Sequence, residues 1–176
     1  MNAPQESGTS TMLAVIVGVL IAIGIIGSIL LVVLTRQRTP PLPENFFEEP
    51  GRIAGLLRED FGQAAIHRVD ITKASIEIHA QRGSIYAKYT LSPKGDFLQR
   101  GGHMEPPEGM VALAGVDFSL VRPIVADATE RAGTPPTLVV MSTDSGSYEW
   151  LASSGETDGE RYVYRTDGSF LEQRNE

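Results

Sequence analysis

Tyr89-Thr90-Leu91-Ser92-Pro93-Lys94-Gly95-Asp96-Phe97-Leu98 and the later Tyr162-Val163-Tyr164-Arg165-Thr166-Asp167-Gly168-Ser169-Phe170-Leu171 share Tyr, Gly, Phe and Leu at the same places. Each is an alternating run that breaks at a glycine turn and resumes at Phe-Leu. Pro-Lys-Gly-Asp and Asp-Gly between such runs are strong hairpin signals. Two hairpins of one pattern point to an internally duplicated, antiparallel α+β unit.

Working outward, the same order of elements precedes each hairpin. In the first half, residues 46–104, Ile53, Leu56, Leu57 and Phe61 form one apolar stripe at helical spacing, and Gly62 ends the helix. Ile66 to Ile71 then alternates. Ile76 and Ile78 resume on the opposite parity, so a tight turn or bulge is expected across Thr72 to Ala74. Arg82-Gly83 is a turn, and Ile85 to Leu91 a further strand. After a connecting loop at 105–116, the second half (117–176) repeats the order. Asp117 is the expected N-cap of a helix through Phe118, Val121, Ile124, Val125 and Ala128, closed by Gly133. Strands follow at Thr137–Met141, Tyr148–Leu151 and Glu160–Arg165. Neither half has enough apolar residues to fold alone, so one shared sheet or core is expected.

Toward the N-terminus the character changes. After a short tail (1–11), Met12 to Leu34 carries no charge. At ~1.5 Å per residue it reaches roughly 34 Å, enough to cross a hydrocarbon core of about 30 Å. The run is too long for a signal-peptide core, and no Lys or Arg precedes it. Residues 12–35 are therefore expected to be a transmembrane helix and the chain a single-pass membrane protein. Arg36 and Arg38 flank it on the C-terminal side, with Arg52 within range, so charge bias favours a cytoplasmic folded domain, the extracytoplasmic side being the alternative. Gly18, Ala22, Gly24 and Ser28 provide small-xxx-small spacings through which two such helices could self-associate. Residues 36–45 are a juxtamembrane linker, in which Pro40, Pro41 and Pro43 favour extended geometry.

Of 15 basic and 22 acidic residues, all but Arg36, Arg38 and Glu6 lie beyond Thr39, so that part is more acidic than the whole chain at −7. Basic residues are not clustered along the chain. This argues against a nucleic-acid partner and against a polybasic contact with anionic lipid. The absence of cysteine excludes disulfides, thiolate metal sites and cysteine nucleophiles.

On the helix-then-strands order and the Tyr-to-Phe-Leu hairpin, the chain resembles tandem α+β repeats of the PepSY and β-lactamase-inhibitor-protein-like kind. It is also similar in pattern to uncharacterised membrane-anchored bacterial proteins. The resemblance covers about Phe46 to Arg174 and implies helices packed on an antiparallel sheet. The chain lacks the inhibitors' cysteine pair, so neither inhibition nor any binding residue is implied.

No chemistry-bearing motif stands out. His67 and His79 would need Asp70 or Glu77 on the same face to hold a metal, and ordinary strand positions are the simpler expectation. Gly-x-Ser-x-Gly and both phosphate-loop patterns are absent. No cofactor, metal site or enzymatic activity is expected. The aromatics are the residues that invite a role: Tyr86, Tyr89, Tyr148, Trp150, Tyr162 and Tyr164 all fall on strands, and the last four are the candidate face. Pointing outward, they make an interaction face for a protein partner; pointing inward, they are core. The leading expectation is a non-enzymatic interaction or sensing domain at a membrane surface. Alternatives are a small-ligand receptor or hydrolase with a pocket between the repeats, and a structural subunit of a membrane complex.

Overall fold

Pro50, whose missing N–H costs nothing in a first turn, opens helix α1 (Pro50–Phe61). Its buried stripe is Ile53, Leu56, Leu57 and Phe61. In the computed structural model, which describes residues 41–154 and 160–174, α1 leads into strands β1 (Ala65–Ile71), β2 (Ile76–Arg82), β3 (Ile85–Leu91) and β4 (Phe97–Met104). A two-residue strand β5 (Val111–Ala112) follows, then two short 3-10 turns, helix α2 (Val121–Ala132), and strands β6 (Leu138–Asp144), β7 (Ser147–Ser153), β8 (Arg161–Tyr164) and β9 (Phe170–Arg174). The tail, the apolar run at 12–35 and its small-xxx-small residues lie outside the described residues. Among the described residues no helix is long and apolar enough to cross a membrane.

The strands form one antiparallel sheet in the order β4-β3-β2-β1-β6-β7-β8-β9, with β5 pairing the start of β1. Two four-stranded meanders therefore meet at β1 and β6. The seam is filled: Val69 pairs with Met141 and Ile71 with Val139, all four side chains fully buried. Val69 also pairs with Ile78, and Met141 with Trp150. The two seam residues thus hold matching places in their hairpins, as across a local two-fold axis. The β3–β4 and β8–β9 turns match as well. Ser92 N–H donates to Asp96 O (2.8 Å) and Gly95 N–H to Ser92 O (3.0 Å), while Arg165 N–H donates to Ser169 O and Gly168 N–H to Arg165 O (both 2.9 Å). Gly95 and Gly168 sit at φ 90° and 80°, where a side chain would be strained.

Three features differ from the sequence expectation. Asp117 caps a 3-10 turn, Phe118–Leu120, accepting from the Ser119 N–H, and α2 proper begins only at Val121. The strand expected at Phe97-Leu98 runs on to Met104. In β1 a bulge at His67 puts Ile66 and Val69 on one face at a spacing of three, with Ile66 opposite Ala80 and Arg68 opposite His79. The parity change across Thr72 to Ala74 is a hairpin turn: Ile71 faces Ile76, so all these apolar residues share the helix side.

Both helices pack on one face of the sheet. The core joins Ile53, Leu57, Val121 and Ile124 to Val69, Ile78, Met141 and Trp150. Burying each large side chain contributes about 1.5–3 kcal/mol. Leu42, Phe46 and Phe47 bring the entering chain onto this core, and Phe46 N–H is fixed to Lys73 O at 2.9 Å in the β1–β2 turn.

Candidate functional site

The four aromatics singled out in the sequence lie on the helix side. Trp150 is fully buried, edge-on to Phe118 at 5.9 Å, with no hydrogen-bond partner for its indole N–H among the described residues. Tyr164, 1% exposed, donates its hydroxyl to Asp127 of α2 at 3.0 Å. Asp127 also accepts from Arg131 at 2.6 Å, and the Arg131 guanidinium lies over Phe170 at 3.7 Å. The Arg131 and Tyr164 hydrogen bonds hold the Asp127 carboxyl below the usual range, and burial with that same bond pushes the Tyr164 phenol well up. Tyr162 is 3% exposed and bonds Glu160. Only Tyr148 is half-buried, its hydroxyl 3.4–3.5 Å from Asp117 N, Gly115 O and Thr166 O. As seated here, three of the four rings are committed to the domain's own core.

What the helices leave uncovered is the opposite face. Strand register lines up four basic side chains there. Arg68 pairs with His79, His79 with Lys88 and Lys88 with Arg100, across four adjacent strands. The next row along carries Asp70, Glu77, Thr90 and Leu98 in the same order. Acids and bases interleave only in part: Arg68 meets Asp70 and Lys88 meets Glu77, both at 2.6 Å, and His79 lies 3.6 Å from Glu77. Desolvation lowers the His79 pKa, against the pull of Asp70 and Glu77. Arg100 is exposed and makes no ion pair among the described residues. This row escapes a sequence reading because residues 68, 79, 88 and 100 are neighbours only once the register is known.

The other half of that face is apolar beneath. Val140, Leu151 and Val163 pair in sequence across β6, β7 and β8. Val163 is fully buried although neither α1 nor α2 covers it. Arg174 of β9 reaches over β8 to Glu149 of β7 at 3.5 Å, and pairs with Glu172 at 2.6 Å. Beside it, a shallow groove of about 310 Å³ is lined by Asp144, Ser147, Tyr148, Glu149, Arg165 and Thr166.

His67 and His79 are separated by the sheet. His67 turns to the helix side, its Nδ1 2.8 Å from the hydroxyl of buried Thr143, while His79 faces the open side. The contact ties the β1 bulge to β6. No group of His, Asp and Glu among the described residues has a metal-holding arrangement.

These features define an α+β domain with a large antiparallel sheet and few helices, both packed on the same face of it among the described residues. No family model and no curated protein matches the sequence. Among solved structures the chain is similar to a "putative lipoprotein" from Clostridium difficile 630, with a TM-score of 0.55 and 10% identity over 76% of this chain and 99% of the other. At that identity the likeness concerns the fold alone.

Proposed function

We propose that this chain is a non-enzymatic binding module, tethered through residues 12–35 and presenting the helix-free face of its sheet to a partner at a membrane surface. The observation that carries the reading is the division of the sheet: one face is occupied by α1 and α2, the other is open and richly charged over its first meander. The lipoprotein description of the structural neighbour is compatible with such a surface domain. Matching seam pairs and turns support descent of the two halves from one duplicated unit. Arg36, Arg38 and Arg52 favour the cytoplasmic side, and Gly18, Ala22, Gly24 and Ser28 offer a route to self-association.

Site-specific photo-crosslinking in intact membranes tests the binding reading. A photoreactive residue replacing Thr90 or Leu98, on the open face, should capture a partner that the same residue replacing Glu130, on α2, does not. Equal capture from both faces would reject the reading. Extraction by alkaline carbonate would reject the tether.

A further inference from the structure

Strands β4 and β9 lie at the two ends of the strand order. The large apolar side chains left exposed among the described residues, Leu98, Met104 and Leu171, all sit on these two strands. In the β3–β4 hairpin the Ser92 N–H bonds Asp96 O, after which Thr90 pairs with Leu98 and Lys88 with Arg100. Antiparallel pairs alternate between bonded and non-bonded. Leu98 and Arg100 therefore aim their backbone groups at β3, while Phe97 and Gln99 aim theirs outward. Two guards flank this outer edge. The Phe97 N–H is taken by Asp60 Oδ2 at 3.1 Å, and past Arg100 the register breaks at a bulge in which Gly101 has φ 76°. Between them, Gln99 has no partner for its backbone N–H and C=O among the described residues.

We propose that β4 pairs edge to edge with β4 of a second copy of this chain, antiparallel, about a two-fold axis at Gln99. Gln99 then exchanges both backbone hydrogen bonds with its counterpart, and the Phe97 N–H stays with Asp60. In this register Arg100 stands opposite Leu98 of the second copy, on the face away from the helices. Its aliphatic stem covers that exposed leucine, and its guanidinium reaches diagonally to Asp96 of the same copy, two residues away. Arg100 so gains a carboxylate, and the two-fold axis makes each such contact twice. Strand β9 is the poorer edge: Leu171 is bulged out of its register, and Glu172 and Arg174 already pair with each other. One strand pair buries far less than the roughly 1,200–2,000 Å² of a standard complex. The pairing therefore belongs to chains concentrated in one bilayer and rests on the tether at 12–35, not on what the open face binds.

The test uses the full chain in liposomes of neutral lipid. The sequence has no cysteine, so a single introduced thiol can form a disulfide only with another copy. The axis puts the two Gln99 Cα atoms about 5.5 Å apart, inside the disulfide range of about 4.4–6.8 Å. Under mild oxidation Gln99→Cys should dimerise at least about tenfold faster than Leu171→Cys, an exposed position on the other edge that reports collision and association through the span. Within Gln99→Cys, Arg100→Asp and Asp96→Arg should each slow dimerisation at least about fivefold by setting like charges together. Asp96→Arg/Arg100→Asp, which exchanges the charges, should restore it. Equal rates at Gln99 and Leu171, or no restoration by the exchange, overturns the proposal. Thermal melts accompany each variant, and where one melts early the comparison of Gln99 with Leu171 decides alone. Resistance of the parent chain to alkaline carbonate, measured first in the same liposomes, keeps failure of the tether distinct from failure of the pairing.

Discussion

The guanidinium of Arg82 lies 4.2 Å from the ring centroid of Phe61, the last residue of α1. It is also 4.9 Å from Tyr89 and donates to the Asp60 carbonyl at 2.7 Å. One side chain from the end of β2 thus holds down the C-terminal turn of the helix, where cations are favoured. Arg82→Ala should cost about 1–2 kcal/mol, combining lost cation–π contact and a charged hydrogen bond. Denaturant unfolding measures it. Arg82→Lys should recover little, because lysine lacks the planar face.

Asp127 and Tyr164 give a paired prediction. Asp127→Ala leaves a buried hydroxyl without its acceptor, at a cost of about 1–3 kcal/mol. Tyr164→Phe removes the hydroxyl itself and should cost less. If the phenylalanine variant proves the less stable of the two, the hydrogen bond is not what secures α2 to β8.

Gly109 stands at φ 77°, and a Cβ there would come within 2.9 Å of the backbone nitrogens of Ser145 and Gly146. The loop between the meanders therefore lies directly against the β6–β7 turn. Gly109→Ala should destabilise by more than about 1 kcal/mol, whereas Gly115→Ala, which meets nothing within 4 Å, should be nearly neutral. Thermal melts of the two variants make the comparison.

His79 supplies a pH dependence. Burial lowers its pKa in the fold below 6.5, so as pH falls through 6.5 the unfolded chain takes up a proton first. Stability contributed by the neutral imidazole is complete above that pH and falls on acidification until the folded pKa is reached. The melting temperature should drop as pH falls from about 7 through 6.5, and His79→Gln should flatten the drop. A parent chain with a flat profile in that interval would contradict the assignment.

Much of the fold is legible in the sequence where a pattern is long enough to repeat. Ile53, Leu56, Leu57 and Phe61 mark α1, and Ile85 to Leu91 coincides with β3. Elements with no buried side leave no such mark. All of β4 beyond Phe97 is exposed, so its residues show no alternation, and β5 is two residues long. The His67 bulge breaks the parity that a strand reading depends on. The direction of the aromatics follows from register: Trp150 faces Met141, a seam residue, and so must lie on the helix side. The basic row is the clearest case of a property that exists only in three dimensions, because each of its members comes from a different strand.

The placement of β1 at the middle of the sheet has a consequence for the newborn chain. Its outer edge is completed by β5 and β6, which emerge only after the whole first meander has left the ribosome. At about 5–20 residues per second, the strand Ala65–Ile71 waits several seconds for its neighbour, with its hydrogen-bonding edge bare. Translation speed, as much as the strength of any finished contact, sets how long this protein stays open to pairing with the wrong strand.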